Sequence, residues 1–363
     1  MDKSSTSGKH IPQLDGLRGL AVILVLFTHS AEVFIRIHWL NAIDHYGLLG
    51  VQLFFVLSGY LITGILLDTK EKPGYFKNFL ARRGLRIYPL YYAVLAFVVL
   101  SGFINRHGVN WWTYLLYISN LVYPGGVQPA PLGPVWSLAV EEQFYLVWPI
   151  IVWVLQRESL RRFSVGLVVL VGIARFILPL PAQNTLFQLD ALAAGAFVAC
   201  LKGNLQPLRR PAKLLVWLLP FGLTLPNLLY DKFSQAFQVF GSVSLLILVL
   251  QNNSALAGFF RVSALRYIGK ISYSVYLLHS FVFAAFLRMQ LAKRVIDGGS
   301  SLNTVLCLAA EYAVVLVVAS ASYYMYERPF LRLKKFFDTN STLSTPRAAY
   351  DRAGDGLGST AIS

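Results

Sequence analysis

The sequence predicts an all-α fold, a polytopic membrane helix bundle with about ten transmembrane helices and both termini in the cytoplasm. Hydrophobic residues make up 56% of the chain, whereas charged residues make up only 13%. The apolar residues cluster into runs of about 20, the length that an α-helix needs to cross a hydrocarbon core about 30 Å thick. No soluble fold requires so many runs of this kind.

Ten apolar segments are long enough to be predicted as spans. They cover residues 14–37, 47–67, 88–105, 134–156, 164–180, 188–201, 214–230, 236–250, 268–288 and 304–326. The short aromatic stretch 111–123 instead predicts an interfacial or re-entrant segment. Lys and Arg concentrate in alternate connections, which orients both termini inward. The net charge of +15 therefore indicates contact with anionic lipid headgroups and not with nucleic acid.

Polar segments flank the predicted membrane domain at 11–337. Residues 1–10 and 338–363 contain too few apolar side chains to bury a core, so we expect both to be disordered, the second in the cytoplasm. The first apolar run carries Arg18 and has no small-residue cleavage site, which favours an uncleaved span over a signal peptide.

The first span carries ionisable residues on one predicted helix face. Arg18 and His29 are separated by close to three helical turns, and Asp15 falls near the same face. Ionisable side chains inside a membrane helix are costly and by default mark a functional site, and a histidine exchanges protons near neutral pH. The pattern favours proton-transfer chemistry at membrane depth. The alternative is that Arg18 reaches the lipid headgroups and His29 only packs between helices.

An arginine cluster lies between the second and third predicted spans, in FLARRGLRIYP. Arg82, Arg83 and Arg86 occupy one to two turns of a predicted helix. This helix is expected to end before Pro89. Arg83 and Arg86 are i,i+3 neighbours, and two guanidinium groups on one face bind phosphate oxygens bidentately. Arginines beside spans also serve as ordinary topology determinants, and this alternative stays open.

The most specific pattern is PVWSLAVEEQFYLVWP, within the fourth span. Ser137, Glu141 and Tyr145 are spaced at i, i+4 and i+8, so they share a helix face. A carboxylate at this depth is costly unless it is paired or protonated, and Glu141 is expected to be hydrogen-bonded by its neighbours. The alternative is a structural ion pair with an arginine such as Arg175.

Further candidates lie in the later spans. Tyr276 and His279 are one helical turn apart, although His279 is also explained as a core residue bonded to a backbone carbonyl. Asp190 and Glu327 are two more carboxylates in or at the edge of spans, and Glu327 is expected to pair with an inner arginine. The histidines show no metal-ligand spacing, so no metal site is predicted.

Six segments of the chain occur in a characteristic order: LDGLRGLAVILVLFTH, FFVLSGYLIT, RRGLRIYP, SLAVEEQFY, ISYSVYLLH and YERPF. Together they resemble the acyltransferase-3 family of integral membrane acyltransferases over residues 11–337. The resemblance implies an enzyme that moves an acyl group, usually acetyl, from cytosolic acyl-coenzyme A to a hydroxyl of a carbohydrate, commonly a cell-envelope glycan. It also implies about ten spans in a plasma membrane, the bacterial inner membrane.

Carried over by position, the resemblance implies that Arg18 and His29 are the essential pair. It also implies that Arg83 and Arg86 contact the coenzyme A phosphates. The third motif falls on Ser137, Glu141 and Tyr145. Some relatives carry a fused extracytoplasmic hydrolase-like domain; this sequence shows none and is expected to resemble the stand-alone members.

These assignments predict that acyl-coenzyme A enters from the cytoplasm with its phosphates on Arg83 and Arg86, and with Arg82 close by. His29 acts as a general base on the acceptor hydroxyl, or as a transient acyl carrier. The residues expected to orient the imidazole are Glu141 and Asp15. Candidate oxyanion or substrate contacts are Ser137, Tyr145 and His279.

The acceptor is expected to be a carbohydrate or glycolipid that approaches from the outer side, where the loops around 106–133 and 289–303 shape its site. Membrane lipid is the other expected partner, and the oligomeric state stays open. The runner-up function is a flippase or exporter of a lipid-linked or anionic solute, because intramembrane charges and helix breaks suit transporters too. The two matching halves that transporters often show are not evident.

Overall fold

A computed structural model describes residues 11–31, 47–102, 109–123, 128–201, 231–251, 255–289 and 301–337. Within these ranges every regular element is helical, which confirms the predicted all-α class. The ends predicted to be disordered, 1–10 and 338–363, and the predicted span 214–230 lie outside the described residues.

The long helices follow the apolar runs, and short helices connect them. In chain order the helices are α1 Pro12–Ala31, α2 Gly47–Thr69, α3 Tyr75–Ser101, α4 Trp111–Leu115, α5 Ser119–Val122, α6 Val135–Val154, α7 Arg157–Ile177, α8 Thr185–Cys200, α9 Asp231–Leu250, α10 Ala255–Phe259, α11 Ser263–Lys270, α12 Ser272–Arg288, α13 Ser301–Ala321 and α14 Arg328–Arg332. A π-helical segment, Ser322–Glu327, joins α13 to α14, and the 3₁₀ turn Leu333–Phe337 follows.

Several helices are long and apolar enough to cross a membrane by length and composition. Among the described residues they are Leu49–Thr69, Tyr75–Ser101, Val135–Val154 and Val305–Phe337. α11 and α12 together give a fifth candidate, and the pair is bent by 74° near the start of the span predicted at 268–288. The aromatic stretch 111–123 forms the two short helices α4 and α5.

The helix that carries the arginine cluster does not end before Pro89, as the sequence predicted. α3 continues through Pro89 to Ser101. A proline inside a helix removes one backbone hydrogen bond, and membrane helices tolerate it where neighbouring helices supply polar groups. Beside this proline the hydroxyl groups of Tyr273 and Tyr326 donate to the backbone oxygens of Ile87 and Pro89, at 2.7 and 3.3 Å, and so attach α3 to two other segments without replacing the bond that Pro89 cannot make. The arginines therefore lie on the first half of a long rigid helix.

At two helix contacts a glycine lies directly against the backbone of the neighbouring helix, with no space for a side chain. A Cβ atom on Gly195 of α8 would lie 2.0 Å from the backbone oxygen of Val56 in α2, so only glycine allows this approach. Similarly, a Cβ atom on Gly269 of α11 would lie 1.7 Å from the backbone oxygen of Asp15. The second contact presses α11 against the part of α1 that contains Arg18.

A buried ion pair joins α7 to α8. Arg175 donates to Asp190 at 2.5 Å, and their side chains are 5% and 4% exposed. Arg175 also donates to the backbone oxygen of Phe187. The guanidinium group is thus engaged away from Glu141, and the alternative that made Arg175 the partner of Glu141 is wrong.

Candidate active site

Most of the ionisable residues that the sequence singles out line three cavities. The first, here called the central cavity, has a volume of about 80 Å³ and lies between α1, α2, α3, α6 and α12. Its polar wall consists of Arg18, Ser58, Arg83, Arg86, Ser137, Glu141, Tyr145, Ser272, Tyr273 and Tyr276. Six predicted site residues, from α1, α3 and α6, therefore line one enclosure.

Glu141 is held at the wall of the central cavity by two hydroxyl groups. Tyr145, one turn further along α6, donates to its Oε2 at 3.0 Å, as the i,i+4 spacing predicts. Ser58 of α2 donates to its Oε1 at 2.5 Å. Two strong donors stabilise a carboxylate in a dry environment, so Glu141 needs no arginine partner to remain in place.

Positive charge is concentrated around the central cavity. The Cζ atom of Arg83 lies 5.8 Å from the ring centroids of both Phe79 and Tyr145. Arg161, Arg162 and Arg175 form ion pairs elsewhere in the described part of the chain. Lys334 interacts electrostatically with the cluster Arg18, Arg82, Arg83 and Arg86. Cations this close repel one another, and a multivalent anion would relieve the repulsion.

The second enclosure, here called the basic cavity, opens from the central cavity. Arg18, Arg86 and Tyr273 line both. It is far larger, at about 650 Å³. Its wall consists of Asp15, Arg18, Arg86, Ser263, Arg266, Tyr267, Gly269, Lys270, Tyr273, Tyr323, Glu327 and Leu331. Glu327 accepts a hydrogen bond from Ser274, where the sequence predicted an ion pair with an inner arginine.

The third enclosure, here called the histidine cavity, has a volume of about 360 Å³. It contains His29 near the last turn of α1, opposite the end that carries Arg18. Its wall includes His29, Gln128, Pro131, Pro134, Trp136, Ser280 and Phe283. Gln128, Ala130, Pro131 and Gly133 of the predicted outer loops thus line it, whereas 290–300 lie outside the described residues.

Backbone carbonyl groups orient two histidine rings beside this cavity. His29 Nδ1 lies 2.9 Å from the oxygen of Val25, and His279 Nδ1 lies 2.7 Å from the oxygen of Tyr276. A carbonyl oxygen only accepts, so each Nδ1 carries a proton, and in a neutral ring Nε2 is then the nitrogen with the lone pair. Ser280 Oγ lies 3.1 Å from His279 Nε2, and the two ring centroids are 4.9 Å apart. Of the two, His29 is the histidine that lines the cavity, and His279 packs against it.

A thin layer of hydroxyl groups separates the central cavity from the histidine cavity. The hydroxyl groups of Ser137 and Tyr276 are 2.5 Å apart. Both lie within hydrogen-bonding distance of the backbone oxygen of Pro134, at 3.2 and 3.0 Å. Pro134 lines the histidine cavity, whereas the two hydroxyl-bearing residues line the central one.

The predicted site residues therefore divide between locations. Asp15 lines the basic cavity and His29 the histidine cavity, although both belong to α1. Arg82 is half-buried and is absent from the walls of the three cavities. His279 is fully buried behind His29.

Among the wall residues that sequence reasoning missed are Ser58, Arg266 and Lys270. Ser58 lies in FFVLSGYLIT, and a serine within this apolar run is the signal that could have marked it. Arg266 and Lys270 are i,i+4 neighbours on α11, a spacing that places both on one helix face. Within the described ranges, no group of three or more His, Cys, Asp or Glu is placed to hold a metal ion.

The helical fold, the apolar spans and the buried ionisable residues define a membrane protein with an interior polar site. Residues 11–324 match the sequence profile of the Acyltransferase domain, and the chain belongs to this acyltransferase-3 family.

Curated relatives agree with this family. The chain is 32% identical over 317 residues to the peptidoglycan O-acetyltransferase OatA of Listeria monocytogenes, with 75% of this chain and 49% of that protein covered. It is 29% identical over 371 residues to a Bacillus subtilis protein provisionally named peptidoglycan O-acetyltransferase YrhL, with 88% and 55% covered. The chain thus spans about half the length of these relatives. No solved structure matches it.

Proposed function

We propose that the chain is a membrane-bound O-acyltransferase that moves an acyl group, usually acetyl, from acyl-coenzyme A to a hydroxyl of a cell-envelope glycan. The observation that carries the proposal is the succession of an arginine-lined cavity, a layer of hydroxyl groups and a histidine-lined cavity. The names of the curated relatives support the acceptor class. We further propose a domain at 11–337 with about ten spans, both ends inside, in the bacterial inner membrane.

Acyl-coenzyme A fits the charge of the donor side. The molecule carries a diphosphate and a separate 3′-phosphate, which together supply the multivalent anion that the cationic cluster requires. Arg83 and Arg86 bind the diphosphate through paired N–H donors, and Arg82 adds positive charge from the adjacent position. Asp15 acts at this end of the site, as an electrostatic neighbour of Arg18.

His29 activates the acceptor in the histidine cavity. Its Nε2 takes the proton from the acceptor hydroxyl, and the oxygen attacks the thioester carbonyl carbon. The carbon–sulfur bond breaks, the proton passes to the departing sulfur, and the products are the ester and free coenzyme A. Attack by Nε2 itself, through an acyl-histidine, remains the alternative. His279 supports the ring of His29 from behind.

The layer of hydroxyl groups between the central cavity and the histidine cavity lies where the thioester must approach the acceptor. Ser137 and Tyr276 present hydroxyl groups there, and either group would stabilise negative charge on the thioester oxygen. Glu141 acts as a positioning residue, because its bonds from Ser58 and Tyr145 fix the wall on which Arg83 rests. Tyr145 therefore contributes to the same wall.

The histidine cavity suits a carbohydrate or glycolipid acceptor. At about 360 Å³ it falls within the usual range of small-molecule sites, about 300–1,000 Å³. Trp136 offers an aromatic face and Gln128 an amide, and sugars are commonly bound by this combination of surfaces.

Acceptor-dependent thioester cleavage tests the proposal. The purified protein in detergent is incubated with radiolabelled acetyl-coenzyme A, with and without soluble peptidoglycan fragments. We expect label to move to the glycan and free thiol to appear only when the glycan is present. Absence of both would contradict an acyltransferase and would favour a flippase or exporter, which moves solutes without breaking the thioester.

A further inference from the structure

We propose that Arg266 and Lys270 of α11 bind the 3′-phosphate of the donor in the basic cavity. This assignment rests on the proposed function, because it requires acyl-coenzyme A as the donor. It extends the phosphate site beyond the arginines of α3 to a different helix, one that the sequence motifs leave without a role.

The order of the cavities matches the order of groups in the donor molecule. Acyl-coenzyme A is linear: the thioester is followed by the pantetheine arm, the diphosphate and the 3′-phosphorylated adenosine. A bulky nucleotide requires a site of about 300–1,000 Å³. The basic cavity offers about 650 Å³ and the central cavity only about 80 Å³. The nucleotide therefore fits the basic cavity, and only the narrow arm fits the central one.

The junction of the two cavities fixes where the diphosphate lies. Arg86 lines both cavities, so a diphosphate bound to it has the pantetheine arm on one side and the nucleotide on the other. The cations of the basic cavity beyond this junction are Arg266 and Lys270. They are the groups that a 3′-phosphate meets next.

Two side chains of α11 can offer hydrogen-bond donors to a bound anion. Arg266 Nε is buried and has no hydrogen-bond partner among the described residues, a costly state that a bound anion would relieve. Lys270 Nζ lies 5.3 and 5.4 Å from the ring centroids of Tyr323 and Tyr324, which hold the ammonium at the cavity. The wall of the basic cavity contains four cationic side chains and two carboxyl groups, those of Asp15 and Glu327.

The position of α11 is fixed and not adjustable. The contact between Gly269 and the backbone of Asp15 leaves no space for a side chain, so the helix lies directly on α1. Arg266 and Lys270 are consequently presented from a rigid surface beside Arg18. Preorganised cations of this kind bind phosphate with less loss of conformational entropy than cations on a free loop.

Two donors that differ only in the 3′-phosphate test the assignment. Steady-state KM and kcat are measured for acetyl-coenzyme A and acetyl-dephospho-coenzyme A with the full chain in detergent. The variants are Arg266→Gln, Lys270→Gln, their combination and Arg266→Lys. The matched control is Arg162→Gln, because the Arg162 side chain is 79% exposed on α7 and lies outside all three cavities.

We expect the wild type to have a KM for acetyl-coenzyme A on the order of tenfold lower than for the dephospho donor, as charge-assisted hydrogen bonds imply. Arg266→Gln and Lys270→Gln should raise the first KM towards the second, with kcat and the dephospho KM little changed. Arg266→Lys should retain part of the discrimination, and Arg162→Gln all of it.

Two results would overturn the assignment while the proposed function stands. One is a wild type that turns over both donors with the same KM. The other is an equal rise of both KM values in the glutamine variants, which would mean that these residues stabilise the helix or bind lipid phosphate. A wild type without any turnover of either donor would instead refute the proposed function, and this assignment with it.

Discussion

His29 owes its orientation to its own helix. Because Nδ1 donates to the oxygen of Val25, Nε2 is the ring nitrogen left to act in the cavity that the ring lines. Arg18, on the same helix, faces a different cavity with the other arginines. In the proposed function, a residue on the donor side and a residue on the acceptor side thus belong to one helix, separated by most of its length.

Replacement of His29 by alanine should abolish acetylation. A positioned general base contributes about 10²–10⁴-fold, and no neighbouring group occupies the same place. Transfer of label from acetyl-coenzyme A to peptidoglycan fragments measures the loss. Thr28→Ala, one position away on α1, serves as the control and should retain activity. Near-normal product from a correctly inserted His29→Ala protein would rule out the catalytic role.

Replacement of Arg83 and Arg86 by alanine should weaken the binding of the acyl donor far more than the binding of the acceptor. Each arginine contributes charge-assisted contacts to phosphate, so we expect the apparent KM for acetyl-coenzyme A to rise on the order of tenfold or more. The KM for the glycan should change little. An equal rise in both would mean that the cluster only supports the fold.

At the scale of helices, local periodicity predicted the fold class and contacts within one helix. It predicted the ends of helices and the contacts between them less well. The all-α class and the Glu141–Tyr145 contact follow from spacing within one segment. The side chains that bind the backbone of α3 beside Pro89 are Tyr273 and Tyr326, which lie far away in the chain. No sequence pattern within α3 indicates that these two tyrosines donate to it.

The site was predicted in part for the same reason. Six residues on three helices were singled out by their motifs and line one cavity. Ser58 and Arg266 were not, because their roles arise from the packing of α2 and α11 against other helices. Likewise, Arg175 pairs with Asp190 and not with Glu141 because of the way α7 packs against α8.

Loss of one partner of the buried ion pair should destabilise the bundle. Arg175→Ala or Asp190→Ala leaves an uncompensated charge, at a cost of about 3–5 kcal/mol. The double variant Arg175→Met with Asp190→Leu should lose less, because it removes both charges. Thermal unfolding in detergent compares them. Double and single variants of equal stability would contradict a stabilising pair.

Gly195→Ala should be far more disruptive than an alanine at an open glycine. The new Cβ atom would lie 2.0 Å from the oxygen of Val56, and such overpacking costs about 1–3 kcal/mol. Gly172→Ala on α7 meets nothing within 4 Å and should be neutral or slightly stabilising. Equal melting temperatures for the two variants would show that α2 and α8 are not in close contact.

At the scale of the whole molecule, the proposed function makes the three cavities a route from phosphate-binding cations to a proton acceptor. Coenzyme A is too large and too charged to cross a bilayer, whereas the acyl group is small. Separate cavities let each substrate remain on its own side of the boundary made by Ser137 and Tyr276. This arrangement predicts transfer across the membrane in place of transport of either substrate.

Vectorial transfer in proteoliposomes tests this account most directly. Radiolabelled acetyl-coenzyme A is supplied only outside the vesicles, and soluble peptidoglycan fragments are enclosed only inside. We predict that acetylated glycan accumulates inside while free coenzyme A appears outside, and that His29→Ala vesicles form neither. Product that forms only when both substrates share one compartment would contradict the account.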